Sequence, residues 1–208
     1  MFYMAWDDIN DTDRYGRTQL HIAAEKGREA KVRQILDQDA EVDLGDDTER
    51  TALHYAVLNG HTAIVKILLE NQADPNMQDE NGMSPLLLLR HNAPEILSLL
   101  IKHGANVNIT DFEGKTLFNI AVQNRDVDFL KMLISHGADP NKHDQHGLSP
   151  LLNSAKAQNS QVVEFLLQLK DANGGKLINH EHKDKGGKSL QDYYDLETLC
   201  AREDAWSV

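Results

Sequence analysis

Thr18-Gln-Leu-His21, Thr51-Ala-Leu-His54, Ser84-Pro-Leu-Leu87, Thr116-Leu-Phe-Asn119 and Ser149-Pro-Leu-Leu152 are five versions of one four-residue theme. Their spacing decides the fold: successive steps are 33, 33, 32 and 33 residues. A second theme runs in phase, as Asp39-Ala-Glu-Val-Asp43, Gln72-Ala-Asp-Pro-Asn76, Gly104-Ala-Asn-Val-Asn108 and Gly137-Ala-Asp-Pro-Asn141. Two independent motifs sharing one period define a tandem repeat, in which each copy buries its apolar face against its neighbours.

The second copy shows what one period encodes. Thr51 is placed to cap a helix with its hydroxyl, and the spacing predicts that helix over 52–59, with Leu53, Ala56 and Val57 turned inward. Gly60 supplies a left-handed stop. A second helix is expected over 62–71, carrying Ile64, Val65, Ile67, Leu68 and Leu69 on a broad apolar side. Asp74-Pro75-Asn76 opens an extended loop, and Asp79-Glu-Asn-Gly82 turns it, with Gly82 free to take a positive φ. Helices of about two turns do not persist alone in water, so stacking must supply their stability.

A 33-residue period with a Thr-Pro-Leu-His-like start resembles the ankyrin-repeat family over residues 10–170. The resemblance implies an all-α fold: an ankyrin-repeat solenoid of stacked helix-turn-helix layers with β-turn or hairpin loops. Repeats one to five are expected over 11–170. Residues 1–10 form an N-terminal cap or a partly disordered lead, with Phe2, Tyr3 and Trp6 expected against repeat one. Repeat three is one residue short between its helices, where Asn92-Ala-Pro94 stands, and has Leu87 and Leu89 at the usual His and Ala positions. Repeat four has Leu117, Phe118 and Asn119 at its start, larger groups that should alter layer packing. Within 171–208, a Gly-rich insertion lengthens the next step to 40 residues, from Ser149 to Ser189. A degenerate capping half-repeat over 177–201 follows it, then a frayed tail.

Composition narrows the function. The 208 residues carry a formal net charge of -12 and 40% hydrophobic residues, with pI near 5.2 and mean hydropathy -0.51. Excess acid repels phosphate backbones and anionic membrane surfaces, so neither nucleic acid nor membrane is an expected partner. A protein with a basic surface is the electrostatically natural one. Cys200 is the only cysteine, which fits a reducing compartment. The start has no basic stretch followed by a long apolar run, and no signal peptide is expected. The chain reads as cytoplasmic, with nuclear entry open, and as a monomer when free.

Residues that could carry chemistry have simpler roles. The resemblance implies that His21 and His54 hydrogen-bond within and between repeats. His103 and His136 precede glycines at helix ends, where a positive charge suits the helix dipole. His180-Glu-His182 lacks the helical zinc spacing, and His143 and His146 add no further pattern. Gly186-Gly187-Lys188-Ser189 ends like a phosphate loop but lacks the earlier glycine. Cys200 has no nucleophile signature. Asn76, Asn108 and Asn141 hold the position that asparaginyl hydroxylation targets in animal members of the family, each eight residues after Leu68, Leu100 or Leu133. The competing reading is a loop cap. No catalytic residue, cofactor or metal is expected.

Function is therefore expected on the exposed ridge of loop tips and first-helix faces, lining a concave groove. By register the loop candidates are Arg14, Tyr15, Arg17, Asp47, Thr48, Arg50, Glu80, Asn81, Met83, Phe112, Glu113 and Lys115. The helices add Leu58, Asn59, Arg90, His91, Gln123 and Asn124. Tyr15, Arg50, Leu58, Met83, Arg90 and Phe112 are the residue types that anchor interfaces. The expected function is a non-enzymatic protein-binding module. The alternative is the targeting arm of a larger activity, such as a ubiquitin-ligase adaptor or a pathogen-delivered effector, with a short docking helix over 189–200.

Overall fold

A Thr or Ser followed by a helix-forming stretch recurs every period, and the chain folds accordingly. The computed structural model describes residues 8–89, 93–124, 126–170 and 173–194. The helices come in antiparallel pairs: α1 (Gln19–Glu25) with α2 (Glu29–Leu36), then α3 (Ala52–Leu58) with α4 (Thr62–Glu70). A 3₁₀ helix, Pro85–Leu88, precedes α5 (Pro94–Lys102). Then follow α6 (Leu117–Gln123) with α7 (Val127–Ser135), α8 (Pro150–Lys156) with α9 (Ser160–Gln168), and a short α10 (Leu190–Tyr193). No strand forms among the described residues, where an isolated antiparallel bridge joins Lys170 and Lys176 across the insertion.

The first helices start on capping boxes. The backbone N–H of Thr51 donates to His54 Nδ1 at 3.0 Å, and the His54 backbone N–H turns back to the Thr51 hydroxyl. Thr18 with His21 and Thr116 with Asn119 repeat the device. Satisfying two orphan amides at once lets a seven-residue helix hold its first turn. Between the paired helices the chain passes through a left-handed residue at Gly27, Gly60 and Gln158. Gly27 has φ +68°, and a Cβ there would lie 2.8 Å from His61 Cε1.

Repeat three departs from the expected α-helical start. Leu87 removes the reciprocal side-chain bond of the box, as Leu152 does in α8. Ser149 still caps α8 with its hydroxyl, at 3.3 Å from the Leu152 nitrogen, whereas Ser84 makes no side-chain capping bond. Its buried hydroxyl finds no partner. Pro94 takes the first position of α5 as expected, where its missing N–H costs nothing.

The chain divides into two compact units, Met1–Phe112 and Glu113–Val208. In the first, α1, α3 and the 3₁₀ helix pack in sequence, as do α2, α4 and α5. Ala23, Ala24 and Ala56 line the inner stack, and their small side chains allow close approach, while Ile64, Leu68, Ile96, Leu97 and Leu100 fill the outer one. In the second unit α6, α8 and α10 form one stack and α7 with α9 the other, around Phe118, Leu130, Leu133, Leu151 and Leu166. Each fully buried Leu or Ile contributes about 1.5–3 kcal/mol over its exposed state.

Candidate partner-binding edge

An aspartate organises each of five loops. Asp13, Asp46, Asp79, Asp144 and Asp184 each accept, through Oδ1, the amides two and four residues ahead; for Asp79 these are Asn81 and Met83, both at 2.9 Å. The Asp79 amide donates to the Met83 carbonyl at 3.0 Å, closing the loop. The third residue after each aspartate has positive φ: Gly16, Glu49, Gly82, Gly147 and Gly187. Glu49 is the exception, an L-residue held at φ 63°. At Gly82 no side chain would fit, since a Cβ would lie 2.6 Å from the Phe112 backbone nitrogen.

In four of these loops the second carboxylate oxygen fastens the loop to a side chain. Asp13 Oδ2 takes Arg17 at 2.9 Å, Asp46 takes the Tyr55 hydroxyl at 2.5 Å, and Asp79 takes Arg50 of the preceding repeat at 2.9 Å. Asp79 is fully buried. In the second unit Asp184 takes the Tyr193 hydroxyl at 2.5 Å. Burial would raise the Asp46 carboxyl, but the bonds from Tyr55, Thr48 and Arg50 outweigh it and hold the group below the usual carboxylate range.

Single backbone bonds then link tip to tip. In Met1–Phe112 the Tyr15 carbonyl accepts from Asp47, Thr48 from Glu80, and Asn81 from Phe112, at 3.1, 3.0 and 3.2 Å. In Glu113–Val208 the Glu113 carbonyl accepts from Gln145 and His146 from Lys185, at 2.8 and 3.0 Å. The tips therefore present their side chains from a fixed backbone.

The sequence candidates separate on this frame. Arg14, Tyr15, Asp47, Asn59, Glu80, Asn81 and Phe112 are exposed on the first unit, and Glu113, Gln123 and Asn124 on the second. Tyr15 at 50% and Phe112 at 68% exposure are the large apolar side chains left open among the described residues. Arg14 lies 4.6 Å over the Tyr15 ring. The half-buried candidates are committed to the loops: Arg17 to Asp13 and Glu25, Thr48 to Asp46, Arg50 to Asp79 and Lys115 to Glu113. Met83 is half-buried rather than exposed, with its carbonyl bonded to His54. Leu58 is half-buried too. Leu148, four residues after Asp144, is 7% exposed and belongs to the core. Arg90 and His91 lie outside the described residues.

Candidate chemistry dissolves into structure in the same way. His21 and His54 reach the Arg50 and Met83 carbonyls with Nε2, at 2.9 and 3.0 Å. His61 bonds the Glu25 carbonyl at 3.1 Å; sequence reasoning missed it, although its Gly-His turn was visible. His103 and His136 are helix C-caps. His143 stacks on His182, centroids 5.3 Å apart. Among the described residues no group of three or more His, Cys, Asp and Glu could hold a metal ion. The Gly186 and Lys188 amides point at Asp184, so the chain's own carboxylate fills the apparent phosphate loop. Asn76 and Asn141 each bridge two repeats, donating to the Gly104 and Leu177 carbonyls and accepting the Asn106 and Asn179 amides. No described helix is long and apolar enough to cross a membrane.

The family model described as ankyrin repeats (3 copies) matches residues 2–79, 71–144 and 118–190. The chain belongs to the ankyrin-repeat family, and its repeats make it a protein-interaction module. Inversin of Homo sapiens is 34% identical over 175 residues, covering 80% of this chain and 16% of inversin. The Canis lupus familiaris inversin gives the same figures. An L-asparaginase of Dirofilaria immitis is 28% identical over 164 residues, 78% of this chain and 28% of that protein. The chain thus spans less than a third of the length of these curated relatives.

Proposed function

We propose that the chain is a non-enzymatic capture module whose partner contact centres on the loop-tip edge of Met1–Phe112. The observation that carries this reading is the pairing of two open aromatics, Tyr15 and Phe112, with a tip backbone fixed bond by bond. Aromatics are large contacts with few torsions to immobilise, and a rigid edge loses little conformational entropy on binding. Between them stand the exposed carboxylates of Asp47, Glu49 and Glu80, which favour a partner with basic groups and faster association at low salt.

The test is capture from the native cell, with co-purifying proteins identified by mass spectrometry, by wild type and by Tyr15→Ala/Phe112→Ala. Loss of two interface anchors should reduce recovery of the partner at least about tenfold. The melting temperature should stay within about 2 °C, because exposed side chains contribute little to folding. Undiminished recovery would move the contact away from this edge.

A further inference from the structure

We propose that Asn173–Gly174 is a site of spontaneous deamidation, at which Asn173 converts to aspartate and isoaspartate without an enzyme. Three Asn-Gly pairs occur in the chain: Asn59-Gly60, Asn81-Gly82 and Asn173-Gly174. The reaction needs the glycine amide nitrogen as nucleophile, and glycine is the residue that obstructs its approach least. The three amides are not equally available. Gly60 N–H donates to the Val57 carbonyl at 3.0 Å, and Gly82 N–H to the Asp79 carbonyl at 2.8 Å. Both bonds close turns that the repeats need, and an amide held this way reacts only after local opening. Gly174 N–H donates to no acceptor among the described residues. Asn173, Gly174 and Gly175 are all exposed. A Cβ built on Gly174 would meet nothing within 4 Å, so the surroundings are open to water and base.

The step balances without any external oxidant or cofactor. The Gly174 nitrogen gives its proton to water and attacks Asn173 Cγ. The new C–N bond closes a five-membered succinimide, and ammonia leaves. Water then adds to one of the two ring carbonyls. Breaking the bond between Cγ and the Gly174 nitrogen gives aspartate; breaking the original peptide bond gives isoaspartate, with the chain rerouted through the side chain. The net exchange is one water in and one ammonia out. The product adds a carboxylate to the loop enclosed by the Lys170–Lys176 bridge, between α9 and α10. It also leaves isoaspartate with an extra backbone carbon there.

The experiment incubates the full chain in warm, mildly alkaline buffer. Isoaspartate is then read site by site, by peptide mapping after labelling with an isoaspartyl methyltransferase. In the folded protein residue 173 should convert about tenfold or more faster than residue 59 or 81, the factor that even a modest opening cost imposes on a protected amide. In the urea-unfolded chain the three sites should react at similar rates. Asn173→Gln should remove the signal at that position and leave conversion at residues 59 and 81 unchanged. Earlier conversion at 59 or 81, or a residue 173 that reacts in the unfolded chain and not in the folded one, would overturn the proposal.

Discussion

A histidine that uses Nδ1 to cap its own helix must keep that nitrogen unprotonated, and His21 and His54 both do. Burial disfavours the charged ring at each, and for His54 it outweighs the Met83 carbonyl and the Asp79 charge, lowering the pKa to about 4. The unfolded chain then binds the proton first. Stability is complete above about pH 6.5 and falls as the pH drops from there to about 4, by up to about 3 kcal/mol for His54. Repeat four shows the remedy, since Asn119 caps Thr116 without a titratable group and reaches the Lys142 carbonyl at 3.1 Å. His54→Asn should therefore flatten the urea-unfolding free energy between pH 6.5 and 4, at a cost of about 1 kcal/mol at pH 7 for the lost Met83 bond. An unchanged slope would assign the acid sensitivity elsewhere. The caps also differ in worth. Thr51→Ala should cost about 1–2 kcal/mol, whereas Ser84→Ala removes a buried hydroxyl that bonds nothing and should be neutral or mildly stabilising by calorimetry.

The loop is the element on which both the stack and the binding edge depend. Arg50→Ala would leave the fully buried Asp79 carboxylate without its cation, and should destabilise by about 3 kcal/mol. The same change at the exposed Arg14 should cost less than about 0.5 kcal/mol. A similar loss at both positions in denaturant titrations would refute the division of these arginines into loop and edge. Glu49 holds the left-handed position that glycine takes in the loops of Gly16, Gly82, Gly147 and Gly187. Glu49→Gly should therefore raise stability by about 0.5–1 kcal/mol, the relief of left-handed strain less the added freedom of the unfolded chain. Asp43 takes the Asp74 amide where Asn76 takes that of Asn106. Burial first, and the Asp74 charge with it, raise its carboxyl. Asp43→Asn removes that burden and should raise the melting temperature in a thermal scan at pH 7.

At the scale of the molecule, stability is divided between two units that each own a core. A fragment ending at Phe112 should stay soluble and helical, with a cooperative urea transition followed by circular dichroism. A non-cooperative loss of signal would show that its three layers depend on the residues beyond. Much of this was legible in one dimension. Period, caps and apolar stripes are local, recurring choices, so the sequence by itself determined the repeat period and most of the helix pairs, though not the bond of His61 to the Glu25 carbonyl or the 3₁₀ start of repeat three. Even the loop aspartates were there to be seen, at the same 33-residue spacing, from Asp13 to Asp46 to Asp79. What register could not give was which tip residues are spoken for. Arg50 and Arg14 look equally available in the chain, and only folding brings Asp79 within 2.9 Å of Arg50. Partnership across repeats depends on distances set by backbone stacking, and the tertiary structure alone decides them; it leaves Tyr15 and Phe112 open and half-buries Met83.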